Sequence, residues 1–344
     1  MAERSAKQKF LRVGYIVVLL WPCFEAACWI IGARPFRQDT YEILSEPQNC
    51  IAADSLYGFG LEPGRYAVHI NKGLTYTVTH DSTGKREVSR TQSSNDIGVV
   101  SFFGCSYTYG MGVNDHETFT SLVARQLPAW HIKNHAVPGF GTVQGLDQLK
   151  SMIEEGNAPD IAVFCYAGFH DQRNSMSPYY QRDLRLGYLS SSASVRENMS
   201  DSRFPYALLD HGTTSRHYLL WSEGGFWERL RMQLASVNIV LSVREQIVEQ
   251  SLPMKAVTQS LFHELKDLCD ANHIRVFVFG VMSNAYTRET LKELEMQGMP
   301  TYCTEVEVAH PHFNNMPFDS HPNAKAHAQM ALELQSFLSP YTAK

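Results

Sequence analysis

The chain has 344 residues, of which 44% are hydrophobic and 19% charged, with 22 glycines and 15 prolines. That balance excludes a wholly disordered, collagen-like or low-complexity chain, and the length fits either two domains of ~150 residues or one large α/β domain with extensions. A net charge of −5, with 30 Lys and Arg forming no basic stripe, argues against a nucleic-acid partner.

The N-terminus reads as a membrane signal. Residues 1–12 carry Arg4, Lys7, Lys9 and Arg12 against Glu3 alone. Gly14–Gly32 then runs GYIVVLLWPCFEAACWIIG, with Glu25 its one charge. Such a run approaches the ~20 residues needed to span a hydrocarbon core. The basic flank leads, so the positive-inside rule puts residues 34–344 outside the cytoplasm, on the periplasmic or extracellular face. The first expectation is therefore a signal anchor, a transmembrane segment within residues 1–33. A cleaved signal peptide follows, since Pro22 and Ala26–Ala27 could end a shorter apolar run. A lipoprotein is weaker, because Glu25 stands where a lipobox before Cys28 wants an aliphatic residue. A buried helix of a soluble protein is the plain alternative.

Residues 34–53 read as a linker, and residues 54–95 as a small β extension. In the latter YAVHIN and LTYTVTH alternate, DSTGK turns, and REVSR follows. This reads as a packing extension rather than a substrate-facing wall.

From Asp96 the pattern changes, opening a domain over residues 96–340. IGVVSFFG is a continuous apolar run, the mark of a strand buried on both faces. HETFTSLVARQL has helical spacing, WHIKNHAV is a second strand, TVQGLDQLKSMIEEG a helix, and DIAVFCYAG a third strand. Helices are expected over Phe226–Gln250 and Lys255–Ala271, then the strand IRVFVFGV, a helix over Thr287–Gln297, the strand TYCTEVEV, and a helix over Pro322–Phe337. Alternation of this kind implies a parallel sheet covered on both faces, with its site beyond the C-terminal strand ends. Residues 172–225 break the alternation and read as an insertion near the site, a candidate lid. Within them SPYYQRD (Ser177–Asp183) reads first as surface tyrosines, with the wall of an acyl or acceptor pocket as the sharper alternative.

The seven cysteines lie at 23, 28, 50, 105, 165, 269 and 303. None has CxxC or zinc-finger spacing, so no structural zinc site is expected, and the sequence calls for no cofactor. Outside the N-terminal run their number is odd, which implies no complete disulfide framework; a single bridge involving Cys50 stays open.

Four segments carry candidate chemistry. Ser106 lies in GCSYTYG, directly after the first buried strand. A turn there exposes a hydroxyl beside helix N–H groups, although such a Ser is also an ordinary N-cap. Gly139, in NHAVPGFGT after the second strand, offers a backbone N–H or simply a flexible loop position. After the third strand GFHDQRN places His170 and Asn174, either able to give a side-chain hydrogen bond to an oxyanion or merely polar loop residues. Asp319 and His321, in FDSHPNAKAH, suit an orienting acid and a base, or helix capping. All four segments fall at the same expected end of the sheet.

In this order the segments resemble the SGNH, or GDSL-type, hydrolase superfamily over about residues 96–338. GCSYTYG is similar to its GDSxTxG block, GFG at Gly139 to its glycine block, GFHD to GxND, and DSHPNAKAH to DxxHP. The resemblance implies a three-layer α/β/α, flavodoxin-like fold and metal-free ester hydrolysis. It implies Ser106 as nucleophile, His321 as base and Asp319 as its orienting acid. The oxyanion hole would use the N–H groups of Ser106 and Gly139 and a side chain from the third block.

The sequence departs from the pattern at three places. Cys105 replaces an Asp that is not a triad member. Asp319 precedes His321 by two residues rather than three, a spacing that resembles polysaccharide O-acetyltransferase relatives. His170 stands where the family has Asn; a neutral imidazole donates one N–H, with Asn174 as the substitute donor. Loss of one oxyanion donor costs ~10²–10³ in rate.

The leading expectation is a membrane-anchored serine esterase, acting through an acyl-enzyme on acylated carbohydrate or lipid. A carbohydrate O-acyltransferase with the same triad, and a catalytically silent binding module, are the alternatives. The membrane partner would be met through residues 14–32, and the oligomeric state is left open.

Overall fold

The computed structural model describes residues 2–37, 42–89, 96–191, 193–221 and 225–342. Parts of the expected linker (38–41), of the β extension (90–95) and of the insertion (192, 222–224) lie outside the described residues.

In chain order, α1 (Ala2–Ile30) precedes the strands β1 (Ile43–Glu46), β2 (Ile51–Asp54), β3 (Gly58–Leu61), β4 (Gly64–Ile70), β5 (Leu74–His80) and β6 (Val99–Phe103). Next come α2 (Ser106–Tyr109), α3 (Phe119–Gln126), β7 (His131–Asn134), α4 (Thr142–Glu154), β8 (Ile161–Tyr166) and α5 (His170–Asn174). The insertion supplies α6 (Pro178–Ser190), α7 (Ala193–Met199), and the hairpin β9 (Arg203–Asp210) with β10 (Thr213–Leu220). Then follow α8 (Gly225–Arg231), α9 (Ala235–Ser251), α10 (Met254–Ala271), β11 (Arg275–Gly280), α11 (Ala285–Met296) and β12 (Thr301–Cys303). The chain closes with β13 (Asn314–Asn315), β14 (Asp319–Pro322) and α12 (Ala324–Thr342).

Two compact units emerge, and they do not follow sequence order. One gathers Met1–Thr40, Pro178–Ser191 and Ser222–Leu252, and is helical. The other holds Tyr41–Ser177, Ser192–Trp221 and Pro253–Lys344, so the β extension and the α/β region form one body.

In the helical unit Arg231 is fully buried and ion-paired to Glu228 and Glu245. Arg182 of α6 reaches Glu245 at 3.3 Å, and Asn238 accepts from Arg231 at 3.0 Å. A charge taken out of water requires such partners. The helix expected over Phe226–Gln250 is broken between α8 and α9. Glu25 explains the break: its carboxylate accepts from the N–H groups of Ala235 at 2.8 Å and Ser236 at 2.9 Å, capping the first turn of α9.

The expected membrane crossing is not supported. The run 14–32 lies in α1 and the turn after it, but among the described residues no helix is long and apolar enough to cross a membrane. Glu25 breaks the run's apolarity and is engaged by α9 and by Trp29 Nε1 at 2.8 Å. All seven cysteines are free, Cys50 included, so the open bridge is not formed.

In the other unit five strands form a parallel sheet of order β12-β11-β8-β6-β7 among the described residues. Counting only these strands along the chain, the order is the flavodoxin-like 2-1-3-4-5, whose switch point lies between β6 and β8. All six residues of β8 are buried. Its alternate side chains go to opposite faces, as strand period two requires. Val163 and Cys165 join Phe102, Phe119 and Met330 in one core cluster; Ala162 and Phe164 join Val143, Leu261 and Phe262 in another. Helices α3 and α12 thus supply one layer and α4, α10 and α11 the other, giving the α/β/α fold that the resemblance implies.

The β extension pairs β1, β4 and β5 antiparallel, with β2 and β3 as a separate ribbon. The β4–β5 turn is Asn71–Gly73, while DSTGK turns the chain after β5. In the insertion, β9 and β10 pair and Phe204 is buried, stacked on Phe59 of β3 at 5.6 Å. That hairpin is part of the packed body, and SPYYQRD enters α6 of the helical unit.

Candidate active site

The chain leaves β6 at the switch point, and Ser106 opens the single-turn helix α2. Its N–H is among the first-turn groups that a helix leaves without an intrahelical partner. Cys105 is sealed into the core cluster with Val100 and Phe102, so an apolar residue serves where the family block has Asp.

Asp319 and His321 come from β14. A strand repeats every two residues, so the D-x-H spacing puts both side chains on one face. His321 Nδ1 lies 2.8 Å from Asp319 Oδ1, and His321 Nε2 lies 2.8 Å from Ser106 Oγ. Asp319 is 3% exposed and Ser106 5%. Asn315 holds the strand by donating to the carbonyls of His321 at 3.2 Å and Pro322 at 3.3 Å. Asn323 caps α12, accepting from Lys325 and Ala326 N–H groups, so neither Asp319 nor Ser320 does the capping. Tyr107 sets its ring edge-on to His321 at 5.4 Å and to Phe169 at 5.6 Å; burial pushes its phenol up to about 12.

Gly139 has φ 90°, in a loop stitched beneath the nucleophile turn. Val137 N–H donates to Gly104 O at 3.2 Å, and Arg173 Nη1 donates to Phe140 O at 2.9 Å. The glycine block and the serine block are thereby brought to one place.

The third block is arranged differently. His170 is 1% exposed, with its ring against Tyr166 at 5.8 Å and Phe169 at 5.1 Å. Both ring nitrogens are sealed from solvent and have no hydrogen-bond partner. Burial, with the charge of Arg173 beside it, holds this imidazole well below the usual histidine range. Asn174 is committed elsewhere: Oδ1 accepts from Val143 N–H at 3.1 Å, and Nδ2 donates to Thr258 Oγ1 at 2.8 Å. The Asn174 amide is thus taken up inside the fold, and the His170 ring nitrogens meet no polar group of the protein. The neighbouring Asp171 is buried and accepts from Tyr166 Oη at 2.9 Å and Tyr286 Oη at 2.5 Å; burial raises its carboxyl.

Two concavities flank these loops. One, of about 390 Å³, is lined by Phe169, Asp171, Gln172 and Tyr286. The other, of about 320 Å³, lies against Tyr76, Gly112, Asn114 and Asn315. Ser106 and His321 line neither, so the contacts of the three side chains, not cavity size, locate the site. Among the described residues no group of three or more His, Cys, Asp or Glu side chains could hold a metal ion.

No protein-family model matches the chain, and no curated protein matches it. Solved structures do. A lipolytic protein of the G-D-S-L family from Desulfitobacterium hafniense is 8% identical over 70% of this chain and 99% of its own, with a TM-score of 0.38. The psychrotrophic esterase EstA from Pseudoalteromonas sp. is 11% identical over 72% of this chain and 99% of its own, with a TM-score of 0.39. The acetyl xylan esterase Est2A from the rumen bacterium Butyrivibrio proteoclasticus is 13% identical over 75% of this chain and 68% of its own, with a TM-score of 0.35.

Proposed function

We propose that the chain is a serine esterase of the SGNH type. The observation that carries this is one imidazole, His321, within 2.8 Å of both Ser106 Oγ and Asp319 Oδ1. A neutral His321 with its proton on Nδ1 donates to Asp319 and accepts from the serine hydroxyl.

The reaction follows from that arrangement. His321 Nε2 takes the Ser106 proton as Oγ forms a bond to the ester carbonyl carbon. The oxyanion is received by the N–H groups of Ser106 and Gly139. Collapse breaks the bond to the alcohol oxygen, to which His321 returns the proton, leaving an acyl-serine. Water, deprotonated by the same imidazole, then attacks the acyl carbon; the bond to Oγ breaks, His321 returns the proton to Ser106, and the acid is freed. Acylated carbohydrate is the substrate class we favour. The test is hydrolysis of p-nitrophenyl acetate and of acetylated xylo-oligosaccharides by the full chain. Turnover of both, abolished by Ser106→Ala, supports the reading; ligand binding without turnover supports a silent binding module instead.

We also propose that the protein works outside the cytoplasm, resting on a membrane face. The basic-then-apolar order of the N-terminus supports this, as do exposed Leu19, Leu20, Trp21, Phe24 and Ile30 on α1 and exposed Val240, Val243 and Ile247 on α9. Fractionation of producing cells tests it. Recovery in the soluble cytosolic fraction would count against it.

A further inference from the structure

The candidate nucleophile stands on one helical turn. Four residues form α2, closed by Tyr109 N–H to Cys105 O at 2.8 Å and Gly110 N–H to Ser106 O at 3.0 Å. A lone turn is the costly nucleus of a helix with no propagation to offset it (σ ≈ 10⁻³). Its direction must be held from outside, and its C-terminal carbonyls need donors.

One side chain of the β extension meets that need. Arg86 is fully buried. Its Nη1 donates to Tyr109 O at 2.7 Å and Gly110 O at 2.5 Å, and its Nη2 donates to Val113 O at 2.7 Å. Its Nε donates to Asp115 Oδ1 at 3.1 Å, and the guanidinium carbon lies 4.8 Å from the Tyr109 ring centre. Gly110 has φ 87°, and a Cβ there would come within 2.6 Å of Thr118 and 3.0 Å of Arg86 Nη1. A side-chain-free residue is what lets the guanidinium approach.

The surroundings point the same way. Thr77 N–H donates to Asn114 Oδ1 at 2.9 Å, Thr79 N–H to Asp115 Oδ1 at 3.2 Å, and His80 Nε2 pairs with Tyr109 Oη at 2.9 Å. The Arg86 backbone bridges β5 at His80 to β7 at Asn134, whose Nδ2 donates to Thr108 O at 3.0 Å. The extension thus grips the turn and the loop after it from Tyr109 to Asp115.

We propose that Arg86 is a positioning residue for the reaction: it fixes the turn that carries Ser106, and makes the β extension part of the catalytic apparatus without touching substrate. This rests on the reading of Ser106 as nucleophile. A buried ion pair is weak evidence for stability. The planar fork, by contrast, dictates where three carbonyls point, which a lysine ammonium does not.

The experiment compares wild type, Arg86→Lys, Arg86→Met and Asp115→Asn as full chains. It reads kcat and KM for p-nitrophenyl acetate per folded molecule, the rate of fluorophosphonate labelling, and amide exchange in peptides covering 106–115. In Arg86→Met, kcat and labelling rate fall roughly 10²-fold, the cost of ångström-scale misplacement, while KM holds. Arg86→Lys falls nearly as far, since charge without the fork does not restore the geometry. Asp115→Asn falls less, and exchange quickens in 106–115 but not in β8. If Arg86→Met does not fold, Arg86→Lys and Asp115→Asn carry the comparison. Folded variants that keep the wild-type kcat overturn the proposal alone. A wild type that neither hydrolyses ester nor takes phosphonate overturns the reading of Ser106 and the proposal with it.

Discussion

His321 Nε2 stands 2.8 Å from Ser106 Oγ across 215 residues of sequence, and the same ring meets Asp319 at 2.8 Å on its other side. Only one neutral tautomer satisfies both contacts. Asp319→Asn keeps the shape and puts an amide where the carboxylate accepts the Nδ1 proton. We expect kcat to fall roughly 10⁴-fold from the wrong tautomer, with KM little changed. Steady-state kinetics check this; a fall below tenfold would take Asp319 out of the reaction.

His170 yields the opposite expectation. Its nitrogens are buried and unpartnered, so removing them leaves nothing unsatisfied. His170→Leu should keep kcat near wild type and stability equal or higher. If His170 instead serves the oxyanion, kcat drops by roughly 10²–10³.

Gly112 sits behind the acid. Its φ is 87°, and a Cβ there would come within 2.6 Å of Asn315 Nδ2 and 3.3 Å of Asp319 Oδ2. Asn315 is the residue that holds β14 by its carbonyls. Gly112→Ala combines a left-handed backbone with this collision, and should destabilise by about 1–3 kcal/mol while lowering kcat more than it raises KM. Urea unfolding and kinetics on the same preparation separate the two effects. An unchanged kcat would show that the strand absorbs the shift.

Stability should fall on mild acidification. Burial holds His135 and His327 at about 3 and His170 well below its ordinary value; Lys85 and Lys133 add to the first, Arg86 and His321 to the second, and Arg173 to the third. All three stay neutral in the fold, but take protons in the unfolded chain below about pH 6.5. The unfolded state then binds more protons, so stability is lost as pH drops through that value, by up to ~1.4 kcal/mol per unit for each histidine. Asp171, raised by burial, acts in the opposite sense, but only across the carboxylate range. Urea midpoints at about pH 7.5 and 5.5 read the slope, and His170→Leu should flatten it. Equal midpoints in wild type would contradict this account.

The sheet was legible because its strands are buried on both faces, so IAVFCY and RVFVFG announce themselves without alternation. The pairing of Asp319 with His321 was legible because the D-x-H spacing puts both side chains on one face of a single strand. The last strand was overdrawn. TYC pairs with β11, but beyond it Thr304 Oγ1 donates to Glu333 at 2.6 Å and Glu305 N–H turns to the same carboxylate, ending β12. The helical unit was hidden because it joins three distant segments, and neither Arg231 nor Glu25 reveals its partner through any local period. Arg86 left no signal either: REVSR shows one arginine among polar neighbours, and only tertiary packing discloses which carbonyls it meets. His170 was legible as a departure from the motif, but not as a buried side chain.

The most direct measurement is covalent labelling of the full chain with a fluorophosphonate, with peptide mass reading the site and Ser106→Ala and Asp319→Asn alongside. The helical unit takes in α1, so the N-terminus stays on. The account predicts one phosphonyl group on Ser106 in wild type, none in Ser106→Ala, and greatly slowed labelling in Asp319→Asn. Folded wild-type protein that takes no label, or takes it at another residue, would contradict the assignment of Ser106 as nucleophile.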